Sequence, residues 1–197
     1  MPTPPPHVVF LCTGNAARSV MAGAILAAHV EAAEVTDVGD VGDADDAGDA
    51  GVRITTAGTH VVEGMPMSWR TRDALTGVDV RPPAHRSLQL RDDHCADADL
   101  VVALAREHVE YVRRVHPEAA ARTATLRRLV RDLPPGPGSL ADRLAALDLG
   151  AVDLEPWEDV EDPAGGELPV FEACAREIRD LIAALAPAVT ERPGSAR

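Results

Sequence analysis

The sequence predicts a single α/β domain in which a parallel sheet is covered by helices on both faces. Short apolar segments typical of buried strands alternate along the chain with segments of helical periodicity. Strands that are joined by helices run parallel, and such a sheet is buried on both sides. A chain of 197 residues can form one such domain with a sizeable core. We expect it to span residues 7–186, with disordered tails at 1–6 and 187–197.

The first strand and the first helix flank a short loop that contains a cysteine. Residues 8–11 are four consecutive apolar residues, which indicates a strand buried on both faces, and Cys12 closes it. Gly14 and Asn15 are the residue types that most easily adopt positive φ, so a tight turn follows. The apolar residues then follow helical spacing from Met21 to about Ala33.

An acidic insertion is predicted at about residues 34–51. This stretch contains seven acidic residues and no basic one, and it has no apolar periodicity. We expect a solvated, flexible segment between the first helix and the second strand. Its aspartates do not have the spacing of a calcium-binding loop.

The remaining elements continue the alternation of strands and helices. Strands are predicted at 52–59, at 100–104 and, as the fourth, at 123–126. Helices are predicted at 65–76, in a short piece after residue 90, at 107–115, at 139–147 and from residue 168 to about 185. The last helix places Cys174 on its apolar face, so this cysteine is assigned to the core.

The loop after the first strand has the properties of an anion-binding site. Its amide groups and the N-terminus of the following helix both favour a bound oxyanion. Arg18 offers a planar fork that can bind two oxygens of a tetrahedral anion. The same positive field favours the thiolate form of Cys12, to which Ser19 can donate a hydrogen bond.

The motif Cys-x5-Arg-Ser with Gly-Asn inside it resembles that of the low-molecular-weight protein tyrosine phosphatases. The thioredoxin-coupled arsenate reductases share this fold and loop. The resemblance implies a sheet of four parallel strands and a catalytic role for Cys12 and Arg18. It implies that the substrate phosphate is bound by Thr13, Gly14, Asn15, Ala16, Ala17 and Ser19. It also implies that Thr56 and His85 support the loop through Asn15.

The general acid is expected on an acidic loop ahead of the last helix. A thiol that attacks phosphorus needs a group that protonates the departing oxygen. Members of the family carry this acid in an Asp-Pro pair, which matches Asp162 and Pro163 here. Asp159 and Glu161 are the alternative candidates.

The sequence departs from the family pattern at several positions near the expected site. Many members have a second cysteine where this chain has Ala17. The aromatic residues that usually enclose a phosphotyrosine ring are replaced by Ala164 and Gly165 on one side and by His60-Val61-Val62 on the other. Either tryptophan, Trp69 or Trp157, could supply an aromatic wall instead.

Three functions are compatible with these residues. The leading hypothesis is a cysteine-dependent phosphomonoesterase that forms a phosphocysteine intermediate and acts on a phosphorylated protein or a small aryl phosphate. An arsenate reductase is the second; because Ala105 stands where the thioredoxin-coupled type has a cysteine, it would need an external thiol. The third is a non-catalytic module that binds phosphate or phosphoproteins. No cofactor or metal is expected for any of them.

The net charge and the cysteine content limit which partners and which cellular compartment we expect. A net charge of −13 argues against nucleic acid and anionic membranes as partners. The three cysteines have no disulfide or zinc spacing, and no signal peptide or membrane span is recognisable, so we predict a cytoplasmic protein. The sequence leaves the oligomeric state open.

Overall fold

The central sheet consists of four parallel strands in the order β2–β1–β3–β4. The strands are β1 (His7–Cys12), β2 (Arg53–Gly58), β3 (Leu100–Ala103) and β4 (Thr123–Thr125). This computed structural model describes residues 4–37, 51–133 and 135–190. Loops that follow parallel strands meet at the carboxyl edge of the sheet, and the loop after Cys12 is one of them. The predicted parallel α/β fold is therefore confirmed.

Seven helices and two short 3-10 turns complete the described part of the chain. The helices are α1 (Arg18–Asp37), α2 (Trp69–Thr76), α3 (Asp92–Asp97), α4 (Arg106–Val115), α5 (Leu126–Asp132), α6 (Leu140–Ala145) and α7 (Leu168–Thr190). The 3-10 turns are Pro117–Arg122 and Pro156–Glu158.

Strand β1 separates two apolar cores because its side chains alternate between the faces of the sheet. Val8, Phe10 and Cys12 belong to the larger core, which includes residues of α1 and α7. Val9 and Leu11 belong to the smaller core on the other face. Residues 8–11 are fully buried, as a run of four apolar residues predicted. The cysteine thus lies on the α1 face, at the end of the central strand.

Several element boundaries differ from the predicted ones. Helix α1 continues to Asp37 rather than ending near Ala33. Helix α2 begins only at Trp69, because the Ser68 hydroxyl accepts a hydrogen bond from the amide of Thr71 and so caps the helix there.

The largest differences from the predicted boundaries lie at the end of β4 and at the C-terminal end of the domain. Strand β4 ends at Thr125, which caps α5, so Leu126 is helical and not the last residue of a strand. Helix α7 runs to Thr190, beyond the predicted domain end at residue 186. Ala188 and Val189 are buried against the larger core, and this burial stabilises the helix past Pro187.

Parts of the predicted flexible segments lie outside the described residues. These are residues 38–50 of the acidic insertion, 1–3 of the first tail and 191–197 of the second. Pro6, just before β1, already pairs with the start of β2, since its carbonyl accepts a hydrogen bond from the Arg53 amide at 2.9 Å. Within the described ranges, no helix is both long enough and apolar enough to cross a bilayer.

A buried ion pair ties α5 to the turn at Pro156–Glu158. Glu158 is fully buried, and its Oε2 accepts from Nε of Arg128 at 2.9 Å and from the Thr125 hydroxyl at 2.8 Å. Arg128 is itself only 5% exposed. Burial opposes ionisation of Glu158, but the hydrogen bonds from Arg128, Glu155 and Thr125 outweigh it, so the pKa of this carboxyl is lowered.

Replacing Glu158 with alanine should therefore destabilise the fold, because the buried Arg128 guanidinium would keep only its longer ion pair of 3.5 Å with Asp132. We expect the free energy of unfolding, measured by urea denaturation, to fall by about 3 kcal/mol. Glu177→Ala is the matched control: it breaks the half-exposed pair with Arg127 and should cost about 0–1 kcal/mol.

The stability difference between wild type and Glu158→Ala should also depend on pH. A carboxyl whose pKa is lowered by folding stabilises the protein fully above its unfolded pKa. The difference should therefore be largest near neutral pH and decrease as the pH falls through the lowered folded value. Equal losses in the two alanine variants, or no dependence on acid pH, would contradict this role for the pair.

Candidate active site

The thiol of Cys12 lies at the base of the loop between β1 and α1. Cys12 is 3% exposed, and its Sγ lies 2.9 Å from Oγ of Ser19 in the first turn of α1. The side-chain amide of Asn15 donates to the same hydroxyl oxygen at 3.0 Å. Because this oxygen accepts from Asn15, the Ser19 hydrogen is free to point at the sulfur. The Ser19 hydroxyl can therefore donate a hydrogen bond to the sulfur of Cys12.

Asn15 is the buried centre of the loop. It has no exposed surface and a φ of 49°, a left-handed conformation that asparagine tolerates better than most residues. Its Oδ1 accepts from the Leu88 amide at 2.8 Å, and its backbone oxygen accepts from Nε2 of His85 at 2.7 Å. Burial lowers the pKa of His85 despite this hydrogen bond, so a neutral imidazole donates it. The structure thus brings His85 to the loop, as the resemblance implied.

The expected contact between Thr56 and Asn15 is not formed. Thr56 lies two residues before the end of β2, on the face that packs against α1. Its methyl group occupies the space beside Gly23, where a Cβ would come within 2.6 Å. The prediction for Thr56 is therefore wrong, because its position on the strand directs it to the helix rather than the loop.

Gly58 allows the next segment to approach the loop closely. A Cβ at this position would lie 2.6 Å from the Thr13 carbonyl oxygen and 2.9 Å from the Asn15 nitrogen. The amides of Thr59 and His60 donate to the carbonyl oxygens of Cys12 and Thr13, both at 2.9 Å. A side chain at position 58 would break these contacts, so only glycine fits.

Arg18, the first residue of α1, extends its guanidinium beside the loop. It is 4% exposed, and its Nη1 donates to the carbonyl oxygen of Val160 at 3.2 Å. Its Nη2 forms an ion pair with Oδ2 of Asp162 at 2.6 Å. A bound phosphate would compete with this carboxylate for the same fork. The loop residues Thr13, Gly14, Ala16 and Ala17 lie between Cys12 and Arg18, so the predicted anion-binding residues are together.

The structure distinguishes among the three candidate acids. Asp159 is held by Arg106, whose backbone amide and guanidinium both donate to it at 2.7–3.2 Å. Burial opposes ionisation, but these hydrogen bonds prevail and lower the pKa of Asp159, so it remains ionised. Asp162 instead faces the loop and is 45% exposed, which leaves it accessible to a substrate. Glu161 lines the adjoining cavity.

Two residues of α4 beside Thr13 were not expected from the sequence. The Thr13 hydroxyl donates to Oε1 of Glu107 at 3.2 Å and lies 3.0 Å from Nε2 of His108. Burial, with repulsion from Arg18, lowers the pKa of His108 to about 3, so this imidazole is neutral. Helix α4 thereby supports the loop from the side of β3. Its contacts join residues about 95 positions apart, which no local pattern reveals.

A cavity of about 490 Å³ opens next to the loop. It is lined by Arg18, Ala105, Arg106, Glu107, Glu110, Asp159, Val160, Glu161 and Asp162. Five of these residues carry carboxylates and two carry guanidiniums, and none is aromatic. Trp157 instead stacks on the guanidinium of Arg131, 4.1 Å from its ring centroid, and Trp69 stacks on Arg70. Neither tryptophan is among the residues that line this cavity.

The other two thiols lie in different surroundings. All three cysteines of the chain are free and buried. Burial raises the pKa of Cys95 to about 11 and that of Cys174 to about 12. Both are protonated at neutral pH and do not compete with Cys12 as nucleophiles. The core position predicted for Cys174 is confirmed.

Comparison with known proteins identifies related chains. The family model for low molecular weight phosphotyrosine protein phosphatase matches residues 7–142. A protein-arginine-phosphatase of Geobacillus stearothermophilus is 28% identical over 92% of this chain and 95% of its own. A low molecular weight protein-tyrosine phosphatase A of Mycobacterium tuberculosis is 33% identical over 95% of this chain and 94% of its own.

Solved structures show the same architecture. The arginine phosphatase YwlE of G. stearothermophilus superposes with a TM-score of 0.64 and 27% identity, covering 92% of this chain and 91% of that one. A low molecular weight protein tyrosine phosphatase of T. tengcongensis gives a TM-score of 0.67 and 28% identity over 91% of this chain and 97% of its own. The two neighbours differ in the phosphorylated residue that their names specify.

Proposed function

This chain belongs to the low molecular weight phosphotyrosine protein phosphatase family, and on that premise we propose a role for each residue of its site. The family is one of hydrolases, and the protein is a cysteine-dependent phosphatase. The observation that carries the assignment of roles is the convergence of Cys12, Arg18 and Asp162. A thiol, a fork for two phosphate oxygens and an accessible carboxyl meet at one loop.

In the proposed first step, the Cys12 thiolate attacks phosphorus. The sulfur–phosphorus bond forms while the bond from phosphorus to the leaving group breaks. Asp162 enters this step protonated and gives its proton to the leaving atom. Arg18 and the loop amides bind the phosphoryl oxygens, whose charge increases in the transition state.

In the second step, Asp162 acts as a base. It takes a proton from a water molecule that attacks phosphorus, and the sulfur–phosphorus bond breaks. Inorganic phosphate leaves and the Cys12 thiolate is restored. Ser19 supports this leaving thiolate through the contact of 2.9 Å.

Two other functions are compatible with the sequence, arsenate reduction and phosphate binding without catalysis, and experiments can distinguish them from the phosphatase. An arsenate reductase would need an external thiol, because Ala17 and Ala105 stand where a resolving cysteine would be. A non-catalytic phosphate binder would have no use for an accessible carboxyl paired with the arginine of the anion loop. We also retain the proposal of a reducing, cytoplasmic setting, which the three free cysteines support.

Cys12→Ser should abolish turnover while phosphate and vanadate still bind, because Arg18 and the loop amides remain. Hydrolysis of p-nitrophenyl phosphate and the dissociation constant for vanadate are the measurements. Arg18→Lys is the complementary variant, and it should weaken vanadate binding because an ammonium group lacks the planar fork. Full activity in Cys12→Ser would exclude the covalent mechanism.

Asp162→Ala should slow hydrolysis in proportion to the basicity of the leaving group. The loss should reach about 10²–10⁴-fold for basic leaving groups and be much smaller for activated aryl phosphates. Asp159→Asn is the control, since Asp159 is bound to Arg106 and should not change the dependence on leaving group. A uniform loss across the series in Asp162→Ala would assign the acid to another residue.

The cavity favours a substrate that carries positive charge. Asp159 is neutralised by Arg106, and a bound phosphate would neutralise Arg18, which leaves a surplus of carboxylates at Glu107, Glu110 and Glu161. A phenyl ring finds no aromatic partner among the lining residues. We therefore propose phosphoarginine as a second candidate substrate, in line with the name of the G. stearothermophilus relative. Asp162 would then protonate the leaving nitrogen.

Replacing two glutamates that line the cavity with glutamine should lower activity on a phosphoarginine peptide more than on p-nitrophenyl phosphate. For Glu110→Gln combined with Glu161→Gln, we expect the ratio of the two kcat/KM values to fall about tenfold, equivalent to about 1.4 kcal/mol. Glu31→Gln is the control, because this exposed residue lies about 20 Å from Arg18 along α1. An unchanged ratio, or a phosphotyrosine peptide preferred over phosphoarginine, would exclude this substrate.

A further inference from the structure

A second cluster of reactive side chains lies at the amino edge of the sheet, opposite the catalytic loop. Cys95 belongs to α3, His116 directly follows α4, and Glu118 lies in the 3-10 turn that leads to β4. A sulfur, an imidazole nitrogen and a carboxylate oxygen from these residues all lie within 4.8 Å of one another. Cys95 and His116 are 0% and 4% exposed, whereas Glu118 reaches the surface.

The imidazole of His116 is oriented as in metal sites. Its Nδ1 is 2.7 Å from Oδ1 of Asp92, and a carboxylate can only accept, so Nδ1 carries the hydrogen. In a neutral imidazole the lone pair is then on Nε2, which is buried and has no hydrogen-bond partner within the described residues. A buried acceptor without a partner is costly. A carboxylate that holds the far nitrogen of a histidine is the arrangement that orients metal-ligating imidazoles.

We propose that Cys95, His116 and Glu118 bind a zinc ion and that Asp92 orients His116. Zinc takes thiolate, imidazole and carboxylate ligands in a tetrahedron, and its bond lengths separate the ligand atoms by about 3.3–3.8 Å. Ligand atoms within 4.8 Å of one another therefore need only small side-chain movements. A water molecule completes the tetrahedron. On binding, the Cys95 proton passes to the solvent, while His116 and Glu118 contribute lone pairs through Nε2 and a carboxylate oxygen.

The surroundings favour zinc over a hard cation. Calcium and magnesium take oxygen ligands, whereas a thiolate and an imidazole select a softer divalent metal. The nearby cation, Arg122, donates to the backbone oxygens of Cys95 at 2.7 Å and Glu118 at 3.0 Å, so it does not occupy their ligand atoms. It instead fixes the backbone of two of the three ligands.

The proposed zinc site would hold secondary-structure elements together and would not take part in catalysis. The loop that carries Cys12 follows β1 at the carboxyl edge, and the cluster lies at the other end of the strands. Zinc bound by the folded chain would join α3, α4 and the 3-10 turn and so stabilise the native state. Phosphatase activity should not require it, which separates this inference from the proposed function.

The test uses the full-length Cys12→Ser variant, from which the active-site thiol has been removed. The protein is treated with chelator, dialysed and titrated with Co²⁺, and separately with Zn²⁺. We expect visible bands of tetrahedral cobalt, a thiolate-to-cobalt charge-transfer band, and a higher midpoint of thermal unfolding with zinc. In this background Cys95→Ser should remove the charge-transfer band, and Cys174→Ser should retain it.

The surface residues provide variants that leave the core intact. Glu118→Gln should weaken zinc binding, and Asp92→Asn should weaken it about 10–100-fold through the orientation of His116. Asp93→Asn removes the neighbouring carboxylate of the same helix and should leave the affinity unchanged. The proposal is wrong if no charge-transfer band forms, if the band survives Cys95→Ser, or if Asp92→Asn and Asp93→Asn bind zinc equally. If Cys95→Ser does not fold, the comparison of Asp92→Asn with Asp93→Asn decides.

Discussion

The catalytic loop depends on one buried asparagine. Asn15 uses its side-chain amide to hold Ser19, its Oδ1 to hold the Leu88 amide and its backbone oxygen to hold His85. These three bonds fix a residue at a φ of 49° without any contact with solvent. The cost of that conformation is offset by hydrogen bonds that the unfolded chain would have to replace with water. Because the Ser19 hydroxyl is thereby directed at Cys12, the hydrogen bond to the nucleophile depends on the geometry of Asn15.

The acid-bearing segment is held to the rest of the domain by three arginines from different elements. Arg128 of α5 binds Glu158, Arg106 of α4 binds Asp159, and Arg18 of α1 binds Asp162. The first two pairs fix the backbone on the approach to the loop and keep their carboxylates ionised. The third pair is the accessible one, and it holds its carboxylate beside the arginine of the catalytic loop. Three acids within five residues thus have different roles, because each has a different partner and a different exposure.

Two different sites lie at the two ends of the strands. The carboxyl edge carries an open, charged cavity that is lined by Arg18 and Asp162, beside the loop of Cys12. The amino edge carries a buried imidazole and thiol whose geometry suits a bound metal. Strand β3 connects them: the helix before it provides Cys95, and the helix after it begins beside Thr13 and ends just before His116. Metal binding at one edge would therefore stabilise α4, which also supports the loop through His108.

The sequence by itself determined the parallel α/β fold and the residues of the anion loop, because Cys12 to Ser19 are contiguous and their spacing fixes their geometry. It also indicated where the acid lies, but three carboxyls were candidates and only their partners in the tertiary structure distinguish Asp162. Thr56 was assigned wrongly because a strand residue faces one side or the other, and packing against Gly23 decides which. The partners of Arg18 and Asn15, and the cluster at Cys95, join residues far apart in the chain. Such contacts depend on how helices pack on the sheet, and no local spacing records that packing.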